Sequence, residues 1–90
     1  MGYLVIGAGR FGGVLAQRLA GIGEVRVQVR DPGKAEYQAL AAHEGITVEP
    51  AGTGTGNAEA IFLCTPWDQA LDAVLGLGNL SGRLVVDCTS

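Results

Sequence analysis

Residues 3–12 read Y-L-V-I-G-A-G-R-F-G, an apolar run that breaks into glycines and then opens a helix. Tyr3 to Ile6 has the character of a buried strand. Gly7-x-Gly9-x-x-Gly12 follows, and then the helical pattern Val14-Leu15-Ala16-x-x-Leu19-Ala20. Gly7 permits the tight turn out of the strand. Gly9 carries no side chain, so a pyrophosphate can approach the backbone. Gly12 lets the helix lie close to the sheet. The N–H groups of the helix start face the same space, with the helix dipole behind them. The plain alternative is an ordinary glycine-rich βα turn. The strand–turn–helix context favours a dinucleotide site.

Working outward, the chain alternates. Strands are expected at Tyr3–Ile6, Val25–Val29, Ile46–Val48, Ala60–Cys64 and Arg83–Cys88. Helices are expected at about Arg10–Ala20, Lys34–His43 and Trp67–Leu75. On the second strand Val25, Val27 and Val29 share one face, with Arg26 and Gln28 on the other. Ala35, Leu40 and Ala41 are candidates for the buried side of the second helix. Strands alternating with helices imply parallel pairing through right-handed crossovers. The expected fold is α/β, a doubly wound parallel sheet of the Rossmann type in the order 3-2-1-4-5, truncated after the fifth strand. Residues 1–90 then form a single dinucleotide-binding domain, and no substrate domain is present. Gly52-Thr-Gly54-Thr-Gly56 precedes a strand rather than a helix, so it is expected to be a mobile connection and not a second phosphate cradle.

Composition limits the function. Ninety residues hold one domain. A hydrophobic fraction of 48% supports a buried core. The net charge of −3 argues against a nucleic-acid partner. No apolar run reaches the roughly 18–20 residues of a membrane span, and no basic segment opens a signal peptide, so the expected location is cytoplasmic. The two cysteines, Cys64 and Cys88, lie in strand-like runs and read as small buried hydrophobes. Their sulfurs lie near each other if those strands are neighbours, but a cytosolic disulfide is not expected. Neither has a second cysteine or histidine at metal-ligand spacing, so no metal is expected.

The end of the second strand selects the dinucleotide. An acid there hydrogen-bonds the ribose of NAD, whereas arginine accommodates the 2′-phosphate of NADP. Arg30 stands about 20 residues beyond the glycine motif, the spacing of the discriminating residue. Its guanidinium can pair bidentately with phosphate. Lys34 supplies a second cation. Asp31 either reaches the ribose or shapes the turn with Pro32. Two cations flanking one acid favour NADP, with NAD as the alternative.

Four stretches together resemble the NADP-binding domain of the deazaflavin-coenzyme-dependent NADP oxidoreductase family: V-I-G-A-G-R-F-G-G near the start, V-R-D-P-G-K at 29–34, F-L-C-T-P-W-D-Q-A at 62–70 and V-V-D-C-T at 85–89. The broader group is that of 6-phosphogluconate-dehydrogenase-like Rossmann domains. The resemblance implies that Arg30 and Lys34 hold the 2′-phosphate and that Ala8 and Gly9 approach the adenosine phosphates. Gly7, Arg10, Phe11 and Gly12 complete that turn. Thr65 and Pro66, at the end of the fourth strand, would lie near the nicotinamide half. One departure is Ser90, where the family usually carries an Asn-Pro pair. The Asp-x-x-Ser ending is closer to prephenate-dehydrogenase-like NAD(P)-binding domains.

The chemistry implied is hydride transfer to or from the nicotinamide ring, in an NAD(P)-dependent oxidoreductase of which this chain is the cofactor-binding part. The partner is a second redox coenzyme or a small-molecule substrate. A non-catalytic dinucleotide-sensing module is the alternative. No acid–base pair stands out. His43 reads as a solvated helix-end residue, Asp87 as either a buried paired carboxylate or a site residue, and Trp67 as either a stacking group or a packed anchor. The fifth strand is apolar at Leu84-Val85-Val86, and no sixth strand follows to pair with it. A homo-oligomer, most simply a dimer through that edge, is therefore expected.

Overall fold

A computed structural model of the chain describes residues 2–65 and 82–88. Five strands form one parallel sheet: β1 (Gly2–Ile6), β2 (Glu24–Val29), β3 (Ile46–Pro50), β4 (Ala60–Leu63) and β5 (Leu84–Asp87). Their order is β3-β2-β1-β4-β5, as the alternation predicts. Helix α1 (Arg10–Leu19) links β1 to β2, and α2 (Ala35–Ala41) links β2 to β3. The expected helix at Trp67–Leu75 lies outside the described residues. None of the helices described is long and apolar enough to cross a membrane.

The period-two alternation of strand side chains divides the core in two. On one face Val5, Val25, Val27 and Val29 meet Ala16, Leu19 and Leu40 from the helices. On the other, Leu4 and Ile6 meet Ile61, Leu63 and Ala58. Burying each of the large aliphatic side chains stabilises the fold by about 1.5–3 kcal/mol relative to exposing it. β1 is buried on both sides because it is the central strand. Helix α1 buries Ala16 and Leu19, whereas Val14 of the expected apolar stripe faces outward. On α2, Leu40 is buried and Tyr37 packs beside it. Ala35 and Ala41 are exposed, so the buried stripe runs through positions three apart rather than through the alanines.

Two element ends differ from expectation. β3 continues through Pro50, which pairs with Val29. A proline is tolerated there because β3 is an edge strand, where its missing N–H costs no ladder bond. Helix α2 is shorter than Lys34–His43. Lys34 is its N-cap, and His43 N–H closes a tight turn on the Leu40 carbonyl at 3.1 Å.

The face of β2 that carries Arg26 and Gln28 holds a polar network. Gln28 is only 2% exposed. Arg26 donates to both Glu49 oxygens, through Nε at 2.7 Å and Nη2 at 2.8 Å. It also donates to the Gly54 and Thr55 carbonyls at 3.0 and 2.8 Å. Gln28 Nε2 donates to Gly54 O at 2.7 Å. Arg83 holds the same loop through the Ala58 and Gly56 carbonyls. The connection after β3 is thus pinned by two arginines and a glutamine, which corrects the expectation of a mobile link. Gly52, Gly54 and Gly56 are there for their positive φ values of 88°, 86° and 56°.

The Arg26 hydrogen bond holds the Glu49 carboxyl below its ordinary 4.5. Burial opposes this, and the Thr53 hydrogen bond, the Arg26 charge and Gln28 add to it. A depressed carboxyl pKa stabilises the fold above the ordinary value, and that stability is lost as pH falls through the folded-state value. Glu49→Gln should therefore cost about 1–3 kcal/mol near neutrality, between the cost of breaking an exposed pair and a buried one. The gap between wild type and variant should narrow as pH falls below 4.5. Urea unfolding at several pH values measures it. A gap that is constant with pH would refute the role given to this carboxylate.

Candidate functional site

The site is built where β1 ends. Gly7 turns out of the strand with φ +86°, a conformation that L side chains rarely adopt. Its N–H donates to Gln28 O at 2.8 Å, which ties the turn to β2. A Cβ on Gly7 would stand 3.0 Å from Thr65 Cγ2 and 3.1 Å from Cys64 O, so the exit of β4 closes over it. A Cβ on Gly12 would stand 2.5 Å from Gly7 O and 3.2 Å from Cys64 Cβ. The first turn of α1 therefore lies against the strand ends at the limit of backbone contact. Gly9 is the opposite case. Its φ of −63° is open to any residue, and a Cβ there meets nothing within 4 Å. Space opens in front of Gly9 and nowhere else in the motif.

That space faces the start of α1. Gly9 is the N-cap and supplies no side-chain hydrogen bond, and the first turn contains no acid. The N–H groups there keep the partial positive charge of a helix start, which suits an anion. Beside the turn, Thr65 Oγ1 is buried and has no hydrogen-bond partner among the described residues. A buried hydroxyl without a partner is costly, and this one stands beside the Gly7 turn. Open space before Gly9 and a helix start without a side-chain cap together fit the pyrophosphate of a dinucleotide.

The remaining expected residues fall around this centre. Ala8 packs against the helix-side core. Arg10 begins α1, and Phe11 beside it is 58% exposed. Arg30 follows β2 directly and Lys34 caps α2; both are exposed. The one ion pair among the described residues joins Arg26 to Glu49, so neither Arg30 nor Lys34 is matched to a carboxylate there. The Asp31 carboxylate accepts the Gly33 N–H at 3.2 Å and so shapes the turn. Asp87 ends β5 opposite Leu63 and is exposed, which corrects the buried reading. His43 is exposed as expected. Pro66 and Trp67 lie outside the described residues. Among those described, no three metal-ligating side chains cluster. Sequence reasoning missed Gln28, whose carbonyl anchors the glycine turn while its amide holds the loop after β3. The available signal was Gln28 sharing one face of the strand with Arg26.

With this geometry in place, the comparisons decide the family. The sequence model of the family described as NADP oxidoreductase, coenzyme F420-dependent, matches residues 3–90. The chain belongs to that family. The match runs through Ser90, so the departure at the end of the chain does not move it to another group. No curated protein matches the chain. Among solved structures, a candidate F420-dependent NADP reductase from Arthrobacter sp. FB24 is similar, with a TM-score of 0.84 and 26% sequence identity. The alignment covers 98% of this chain and 44% of that one. This member of the NADP oxidoreductase family thus spans less than half the length of the relative it resembles.

The open space at Gly9 and the crowding at Gly12 predict opposite outcomes. Gly12→Ala should destabilise the fold by about 1–3 kcal/mol through overpacking. Gly9→Ala should change stability by no more than about 0.5 kcal/mol, the usual range at an uncrowded surface position. Thermal or urea unfolding of both variants tests the contrast. Equal losses would refute the assignment of packing to one glycine and space to the other.

Proposed function

We propose that this chain is the NADP(H)-binding unit of an oxidoreductase, with residues 1–90 acting as one dinucleotide-binding domain in the cytoplasm. The observation that carries the reading is the open cradle before Gly9 at the uncapped start of α1. The backbone at Gly7, Ala8, Gly9, Arg10, Phe11 and Gly12 would hold the pyrophosphate. Arg30 and Lys34 would take the 2′-phosphate, because both are cations without a carboxylate partner among the described residues while Asp31 already bonds the turn. Thr65, with Pro66 after it, would meet the nicotinamide half. When bound, the cofactor supplies hydride chemistry at its nicotinamide ring. The chain's own residues bind and orient it. The family name points to a deazaflavin as the second redox partner, in which case alignment of two rings does the work and no acid–base residue is required.

NADPH should bind at least about tenfold more tightly than NADH, or about 1.4 kcal/mol. Calorimetric titration at low salt measures both. Arg30→Ala should erase most of the preference and leave NADH binding nearly unchanged. Gly9→Val should fold and lose both ligands, because its side chain fills the cradle. Equal affinities for the two dinucleotides in the wild type would overturn the NADP reading. Tight NADPH binding with no oxidation by any deazaflavin or other acceptor would mark a sensing module instead.

We also infer self-association of this 90-residue chain. β5 ends the strand order among the described residues, and Leu84 on it is 63% exposed. An apolar strand edge of this kind is a pairing surface. Sedimentation velocity should show a dimer growing in with concentration. A single monomeric species up to roughly 0.5 mM, within the range where exposed edges associate, would refute it.

A further inference from the structure

The two cysteines, read separately as small hydrophobes, come together at the carboxyl end of the sheet. β4 and β5 pair with Leu63 opposite Asp87, so Cys64 and Cys88 stand opposite each other one step beyond the ladder. Cys88 N–H still donates to Leu63 O, and Cys64 N–H to Ile6 O, both at 2.8 Å. Both thiols are free and half-buried, and they stand close enough for Cys88 to act electrostatically on Cys64. Cys64 also touches the glycine turn: its Cβ lies 3.2 Å from the Cβ position of Gly12, and its carbonyl 3.1 Å from that of Gly7.

Neighbouring strands lie about 4.8 Å apart, inside the Cα separation that a disulfide accepts, about 4.4–6.8 Å. The Cβ atoms of a disulfide prefer about 3.8 Å, so closing this one draws the strand ends together. A bridge formed that way is more easily reduced than an unstrained one. The site therefore suits reversible oxidation.

We propose that Cys64 and Cys88 form a redox-sensitive dithiol, which a small-molecule disulfide converts to an intramolecular disulfide that weakens dinucleotide binding. The weakening rests on the function proposed above; the dithiol does not. Burial pushes the Cys64 thiol up to about 12, with the Cys88 charge and hydrogen bond adding to it. Cys64 therefore keeps its proton near neutrality, and the first attack falls to Cys88. The Cys88 sulfur, on losing its proton, attacks one sulfur of R–S–S–R and releases RS⁻, which takes up a proton. Cys64 then loses its proton and attacks the Cys88 sulfur of the mixed disulfide, releasing the second RS⁻, which is also protonated. Two protein thiols are oxidised by two electrons, and the small disulfide is reduced to two RSH. Closure draws Cys64 toward β5 and away from Gly7 and Gly12, so it loosens the contacts that hold the turn.

The test equilibrates the chain with hydroxyethyl disulfide and its thiol over a range of ratios, then alkylates and weighs it. The expected product is a monomer lighter by two hydrogens, with neither cysteine alkylated and full reversal by dithiothreitol. Cys64→Ser and Cys88→Ser should each stop at a mixed disulfide on the remaining cysteine. Two separate adducts on the wild type, or only disulfides between chains, would overturn the dithiol. NADPH titration of both redox forms reads the coupling. The oxidised form should bind roughly tenfold more weakly, within the usual span of coupling between sites. Unchanged affinity in a protein shown by mass to be bridged would overturn the coupling. Failure of the reduced protein to bind NADPH would count against the proposed function, and the mass result would still decide the dithiol.

Discussion

The approach of α1 to the ends of β1 and β4 constrains everything else at this end of the molecule. A Cβ on Gly12 would sit 2.5 Å from the Gly7 carbonyl, so at this point helix and strand leave no room for a side chain between them. That contact sets the height of the helix start above the sheet. Gly7 turns away at φ +86° because only such a turn brings the chain back quickly enough for the helix to begin at Arg10. Crowding at Gly7 and Gly12 and emptiness at Gly9 are thus parts of one arrangement. The turn is pulled in on both sides, and the residue between them stands over open space.

The second constraint works on the opposite face and concerns register. A central strand of a parallel sheet is usually apolar on both faces. β2 departs from this at Arg26 and Gln28, and neither is left unpaired. Gln28 stands opposite Glu49 in the ladder, and Arg26 reaches the same carboxylate with two nitrogens. A one-residue slip of β3 would send Glu49 to the helix face and leave Arg26 and Gln28 short of partners. The network therefore fixes the position of β3 and of the loop that follows. Through the Gly7 N–H bond to the Gln28 carbonyl, the same β2 residue also holds the glycine turn. Loop, edge strand and site share one polar residue.

How far each feature was legible in the sequence depends on how local its cause is. The strand order and the glycine turn follow from patterns a few residues long, periodicity and punctuation, and both were readable. The third strand was expected to end at Val48, short of Pro50, although the expected order already made it an edge strand, where a proline is tolerated. Ala35 and Ala41 were misread as buried because alanine fits either side of a helix; Tyr37 and Leu40, three apart, carry the face. The pinned loop was invisible because its partners are far away, with Arg26 and Glu49 lying 23 positions apart. The cysteine pair was legible only conditionally, since it required β4 and β5 to be neighbours. The site residues at the glycine motif rested on spacing, whereas the unpaired Thr65 hydroxyl emerges only when β4 is laid beside β1.

The charges at the end of β2 show why local pairing outweighs net charge. The chain as a whole carries −3, which disfavours anions at long range. Screening reduces that field over about 8–10 Å at physiological salt, so an anion arriving at β2 meets mainly the nearest groups. Of these, Asp31 has its carboxylate on the Gly33 N–H at 3.2 Å, inside the turn that ends the strand. Such a bond disperses part of its charge and aims it at the backbone. Arg30 and Lys34 on either side are exposed and matched to no carboxylate among the described residues. Glu49, opposite Gln28 in the ladder, is already held by Arg26 at 2.7 Å. The buried-face network thus does a second thing at a distance. By engaging Glu49 with Arg26, it takes one carboxylate out of competition for the cations at the β2 exit.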